Sequence, residues 1–72
     1  MANSTSEIFR NNLKFYRNKQ GYTQEELSEI CDISTDYLSQ IERGKRTPGF
    51  KRLELIAKAL NIDVYKLYMP LN

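Results

Sequence analysis

Along the first stretch of the chain, apolar side chains return every three or four positions: Phe9, Leu13 and Tyr16, with Ile8 alongside. That spacing follows one face of an α-helix and predicts an amphipathic first helix. Ser4 and Glu7 stand three apart, where each side chain can accept the other's backbone N–H, and so mark its start. Its end is expected near Gln20, because Gly21 readily takes the left-handed conformation that closes a helix. Thr23 and Glu26 repeat the capping pattern and open a second, short helix, TQEELSEIC. Leu27, Ser28 and Cys31 share its inward face, and the small Ser28 and Cys31 let a neighbouring helix approach closely.

After a break at Asp32 and Ile33, Ser34 is a good N-cap for a third helix from about Thr35 to Arg43. Leu38 and Ile41 face inward on it, and Gly44 ends it. Thr47 is expected to cap a fourth helix with Pro48 at its first position. FKRLELIAKAL then places Phe50, Leu53, Ile56, Ala57 and Leu60 on one stripe. Asn61 stops it, Ile62 turns into the core, and Asp63 begins a short fifth helix, VYKLYM, halted by Pro70. The pattern predicts a single all-α domain over residues 1–72, a compact five-helix bundle without strand, repeat or linker.

Composition leaves that picture in place and narrows the functions. At 72 residues the chain has room for one core, which in this size range supplies only about 3–5 kcal/mol. An apolar content of 40% is too high for a disordered segment, and three glycines are too few for a turn-rich β-sandwich. No apolar run resembles a signal peptide or reaches the roughly 20 residues that span a bilayer, so a cytoplasmic protein without a membrane partner is expected. Cys31 is the one cysteine and histidine is absent, which leaves neither an internal disulfide nor the usual zinc ligands. The commonest general base is therefore missing, and no glycine-rich phosphate loop or nucleophile elbow appears. Neither an enzyme nor a metal, cofactor or small-molecule ligand is expected.

Charge adds a location rather than a total. The formal net charge is only +2, yet residues 43–52 hold Arg43, Lys45, Arg46, Lys51 and Arg52 and no acidic residue. Such a segment attracts phosphate, although a solvated surface run has the same composition.

Two short helices about three residues apart, the first with a small residue and the second with paired apolar ones, describe a helix-turn-helix. Ser28, Ile33, Leu38 and Ile41 fill those roles. The blocks TQEEL, YLSQIERGKR and IAKAL, in this order and spacing, resemble the phage repressor and Cro family of DNA-binding domains, also called the xenobiotic-response-element family. The resemblance covers about residues 9–68 and implies a lambda-repressor-like five-helix fold that binds double-stranded operator DNA as a homodimer. Two positions depart from the family pattern. Asp32 stands where glycine is typical and tolerates a left-handed turn less cheaply; Cys31 replaces a usual alanine.

The resemblance makes the third helix the reader, since such helices lie in the major groove with their N-terminal residues against base edges. Thr35, Asp36, Ser39 and Gln40 are the base-reading candidates. The Gln40 amide can pair with adenine N6 and N7, Thr35 and Ser39 can bond several bases or touch a thymine methyl, and Asp36 can accept from cytosine N4. An ordinary solvated helix face would carry the same residues. Thr23, Gln24, Ser34, Tyr37, Arg43, Lys45 and Arg46 are the phosphate-binding candidates, the first two at a helix N-terminus whose free N–H groups favour an anion.

Arg17 and Glu42 are implied by the resemblance to form a structural ion pair joining the first helix to the end of the third. Tyr65, Tyr68, Met69 and Leu71 crowd the chain end, and Phe15 lies on a face that is normally polar. The C-terminal group is expected to be a dimer or partner surface, because one module of this size buries only about 600–1,000 Å² on DNA. The expected function is a transcription regulator that represses by occupying a palindromic operator. Antitoxins and controller proteins of restriction-modification operons share the fold. The acidic Glu25, Glu26 and Glu29 leave activation open. A protein-binding module that has kept the fold is the alternative of a different class; it would bind DNA weakly and with little salt dependence.

Overall fold

Both expected capping boxes form. In the computed structural model, which describes residues 4–71, α1 spans Thr5–Lys19 behind Ser4. The Ser4 hydroxyl accepts the Glu7 N–H at 3.1 Å, and the Glu7 carboxylate accepts the Ser4 N–H at 3.0 Å. α2, Gln24–Ile30, starts the same way at Thr23 and Glu26. α3, Thr35–Glu42, starts where the Ser34 hydroxyl accepts the Tyr37 N–H. After α1 and α3 the chain turns through Gly21 and Gly44, both at φ +78°. The turn between α2 and α3 uses Asp32 at φ +56°, a conformation that costs a residue with a Cβ about 1–2 kcal/mol.

The structure departs from expectation at the fourth and fifth helices. α4 spans Phe50–Ala59 and is preceded by Gly49, which makes no side-chain capping bond. Thr47 therefore does not cap it, and Pro48 lies outside it. Pro48 is the buried apolar residue of this turn, whereas Phe50, at the first helical position, is 87% exposed and overhangs the end of the inner stripe. The last element, Val64–Tyr68, is a 3₁₀ helix. It is bounded by Asp63 and Pro70, and proline contributes no N–H to extend a helical ladder. The architecture is thus four α-helices and one 3₁₀ helix, with no strand among the described residues.

The core joins every element: Phe9 and Leu13, Leu27 and Cys31, Leu38 and Ile41, Leu53, Ile56, Ala57 and Leu60, and Leu67. Burying each of the large side chains contributes about 1.5–3 kcal/mol, which is what holds such short helices in place. α1 packs on α3 and on the 3₁₀ helix, and α2 packs on α3 and α4.

Three buried residues among those described are polar: Asn12, Ser28 and Glu42. Asn12 is almost wholly inside, and its Nδ2 donates to the carbonyls of Lys66 at 2.9 Å and Met69 at 2.6 Å. A buried amide is tolerated only when bonded, so Asn12 acts as a clamp on the chain end. Gln20 does the same for α4, donating to the Leu60 carbonyl at 2.9 Å. No helix among the described residues is long and apolar enough to cross a membrane.

Candidate nucleic-acid interface

Ser28 and Thr35 set how closely α2 and α3 meet. Ser28 Oγ donates to the Glu25 carbonyl at 2.8 Å and lies 3.0 Å from Thr35 Oγ1. With the Ser28 proton committed, Thr35 is the donor between the two hydroxyls. Thr35 nonetheless remains exposed. Asp36 is exposed as well, and Ser39 and Gln40 are half-buried; none of the four base-reading candidates belongs to the core.

The bend after Gly44 folds back onto α3. The backbone N–H groups of Lys45 and Arg46 reach the Gln40 carbonyl at 2.8 and 3.3 Å. Arg46 Nε also donates to Gln40 Oε1 at 2.8 Å, while Gln40 Nε2 donates to Asp36 Oδ2 at 2.7 Å. The guanidinium groups of Arg46 and Arg52 sit over the half-buried Tyr37 ring, 5.8 and 5.4 Å from its centroid. Lys45, Arg46 and Arg52 of the cationic segment are thereby tethered to α3. Arg52 was visible in the basic run but not singled out as a contact.

The hydroxyls of Thr23 and Ser34 accept the N–H groups of Glu26 and Tyr37, which leaves each O–H as a donor suited to a phosphate oxygen. Gln24 turns one amide N–H inward: its Nε2 donates to Glu42 Oε1 at 3.0 Å. Glu42, only 3% exposed, also receives Arg17 Nε at 2.7 Å and Arg17 Nη2 at 3.1 Å. Arg17 Nη1 continues to the Tyr22 carbonyl at 2.9 Å. The ion pair is therefore present, bidentate, and part of a network that ties α1, the start of α2 and the end of α3 together.

The C-terminal group divides. Tyr65, Met69 and Leu71 join Phe15, Tyr16 and Pro70 around an open groove of about 570 Å³. Tyr68 turns to the other side, stacking on Phe9 at 5.4 Å and lining a hollow with Arg10, Gly44 and Arg46. Burial raises its phenol above the ordinary range. Arg10, which sequence reasoning passed over, lies so close under the bend that a Cβ at position 44 would be 2.8 Å from its Cδ. Burial likewise raises the Cys31 thiol.

A short helix, a tight turn and a second helix with its polar face outward, flanked by a cationic bend, define a helix-turn-helix DNA-binding domain. The helix-turn-helix family model matches residues 13–67, and the chain belongs to this family, the Cro/C1-type DNA-binding transcription regulators. The control protein C.SmaI of Serratia marcescens is 39% identical over 61 residues, 85% of this chain and 73% of that protein. The restriction-modification controller protein C.AhdI from Aeromonas hydrophila superposes with a TM-score of 0.81 at 28% identity, covering 85% of this chain and 92% of that one. SinR, described as a master regulator for biofilm formation and solved in complex with DNA, gives a TM-score of 0.77 at 33% identity, over 82% of this chain and 95% of that one.

Proposed function

We propose that the protein is a sequence-specific repressor that binds a palindromic DNA operator as a homodimer. The observation that carries this reading is the placement of Thr35, Asp36, Ser39 and Gln40 outside the core on α3, with the cationic bend hydrogen-bonded back onto the same helix. In the proposed complex the N-terminal half of α3 enters the major groove. Thr35, Asp36, Ser39 and Gln40 meet base edges, while Thr23, Gln24, Ser34, Tyr37, Arg43, Lys45 and Arg46 hold phosphates. The groove beside Tyr65, Met69 and Leu71 is the dimer surface, which sets two reading helices about 34 Å apart or a multiple of that. The likeness to a DNA-bound SinR supports the duplex as partner. The likeness to C.SmaI and C.AhdI supports a narrower second reading, a controller protein of a restriction-modification operon.

Selection from a random duplex library followed by salt titration tests the proposal. A selected site should be bound at least about a thousandfold more tightly than random DNA, with log K falling by about 0.9 per phosphate contact for each unit of log salt. Weak binding that ignores both sequence and salt would instead mark a protein-binding module.

A further inference from the structure

The side chain of Gln40 lies between opposite charges. Its Oε1 accepts from the Arg46 guanidinium at 2.8 Å, and its Nε2 donates to the Asp36 carboxylate at 2.7 Å. We infer that Asp36 and Arg46 are positioning residues that fix the direction of the Gln40 amide and so set which base it prefers. The inference rests on the DNA-reading function proposed above and goes beyond treating Arg46 as a phosphate contact and Asp36 as a base contact.

A free glutamine amide can turn over and present its donor and acceptor in either order. Here a turned amide would place N–H against N–H at Arg46 and oxygen against oxygen at Asp36, so both neighbours enforce the same order. Arg46 is itself held, by its backbone N–H on the Gln40 carbonyl at 3.3 Å and by the Tyr37 ring beneath its guanidinium. The amide retains one further N–H and one further lone pair. Adenine is the base whose major-groove edge offers the matching acceptor and donor, N7 and N6–H₂, and a reversed amide would set oxygen against N7. The same relay explains how a carboxylate stands on a face that approaches phosphates: Asp36 is joined through Gln40 to a cation, which offsets its repulsion.

The test compares binding to the selected site with binding to the same site altered at the base pair whose preference Gln40→Ala relaxes. Arg46→Lys keeps a positive charge but loses the planar Nε–H. It should lower that selectivity about 3- to 10-fold, the equivalent of one net hydrogen bond, beyond any loss of affinity common to all sequences. Asp36→Ala should lower it similarly, and neither change should reduce it further in a Gln40→Ala background. Unchanged selectivity in Arg46→Lys and Asp36→Ala would overturn the inference, as would a full additional loss from either in the Gln40→Ala background, since that residue would then read the base pair itself. A parent protein that selects no site at all would sink the proposed function itself, which keeps the two failures distinct.

Discussion

Gln24 donates its side-chain amide to the buried carboxylate of Glu42 at 3.0 Å, so a residue at the start of α2 braces the ion pair between α1 and α3. Glu42 Oε1 takes this bond together with one from Arg17 Nη2, and Oε2 takes Arg17 Nε. The start of α2 is thereby registered against the end of α3 by a charge that cannot easily move. The spacing between the start of α2 and α3 depends on that registration.

Arg17→Leu should strand the Glu42 carboxylate inside and cost about 3–5 kcal/mol, a loss comparable to the net stability of a domain this small. Urea and thermal denaturation followed by circular dichroism should show a large fall in midpoint. Arg17→Met combined with Glu42→Leu should recover most of it, because the charge needing a partner is gone. An unchanged midpoint in Arg17→Leu would remove the pair from the structural framework.

Asn12→Leu should remove two hydrogen bonds and leave the Lys66 and Met69 carbonyls without their buried donor, costing about 1–3 kcal/mol. The loss should be local. Amide hydrogen exchange is expected to quicken through the 3₁₀ helix before it quickens in α3, and uniform acceleration would contradict the clamp.

Asp32→Gly should stabilise the domain. Relief of the left-handed Cβ contact, about 1–2 kcal/mol, is partly offset by the flexibility glycine adds to the unfolded chain, about 0.5–1 kcal/mol. The net gain of roughly 0.5–1 kcal/mol corresponds to a rise in Tm of about 2–8 °C.

Met69→Glu should separate the proposed dimer without unfolding the subunit, because the Met69 side chain is 52% exposed and lies on the groove rather than in the core. Sedimentation should then report a monomer, and affinity for the whole palindrome should fall toward that for one half-site. Dimers that persist would move the interface elsewhere.

Acid should weaken the first helix through Glu7. The Ser4 backbone N–H, and next the Ser4 hydroxyl, hold the Glu7 carboxyl below its ordinary value. A depressed carboxyl contributes stability that is complete above its unfolded value and is lost as pH falls through the folded one. The difference in Tm between the parent and Glu7→Gln should therefore be greatest near neutrality and shrink below the ordinary carboxylate range.

Much of this architecture is legible along the chain because its causes are local. A capping box needs two residues three apart, and Ser4–Glu7 and Thr23–Glu26 both form as read. The inward faces of α1, α2 and α3 follow from spacing alone, and so does the outward face with Thr35 and Gln40. Asp36 and Gln40, one helical turn apart, were within reach of the same logic. Other features depended on what a distant element brings. Whether Pro48 or Phe50 would be buried was decided by where α4 meets the core, which no local pattern encodes. Asn12 resembles any exposed polar residue until the chain end arrives to accept its protons, and Gln24 has no reason to turn inward until Glu42 lies beneath it. Tyr65 and Tyr68, three apart, look equivalent until the Phe9 ring draws one of them to the opposite side. Periodicity and caps are settled by neighbours within about one helical turn. The partner of a buried polar group is settled only when packing excludes water and leaves it one place to bond.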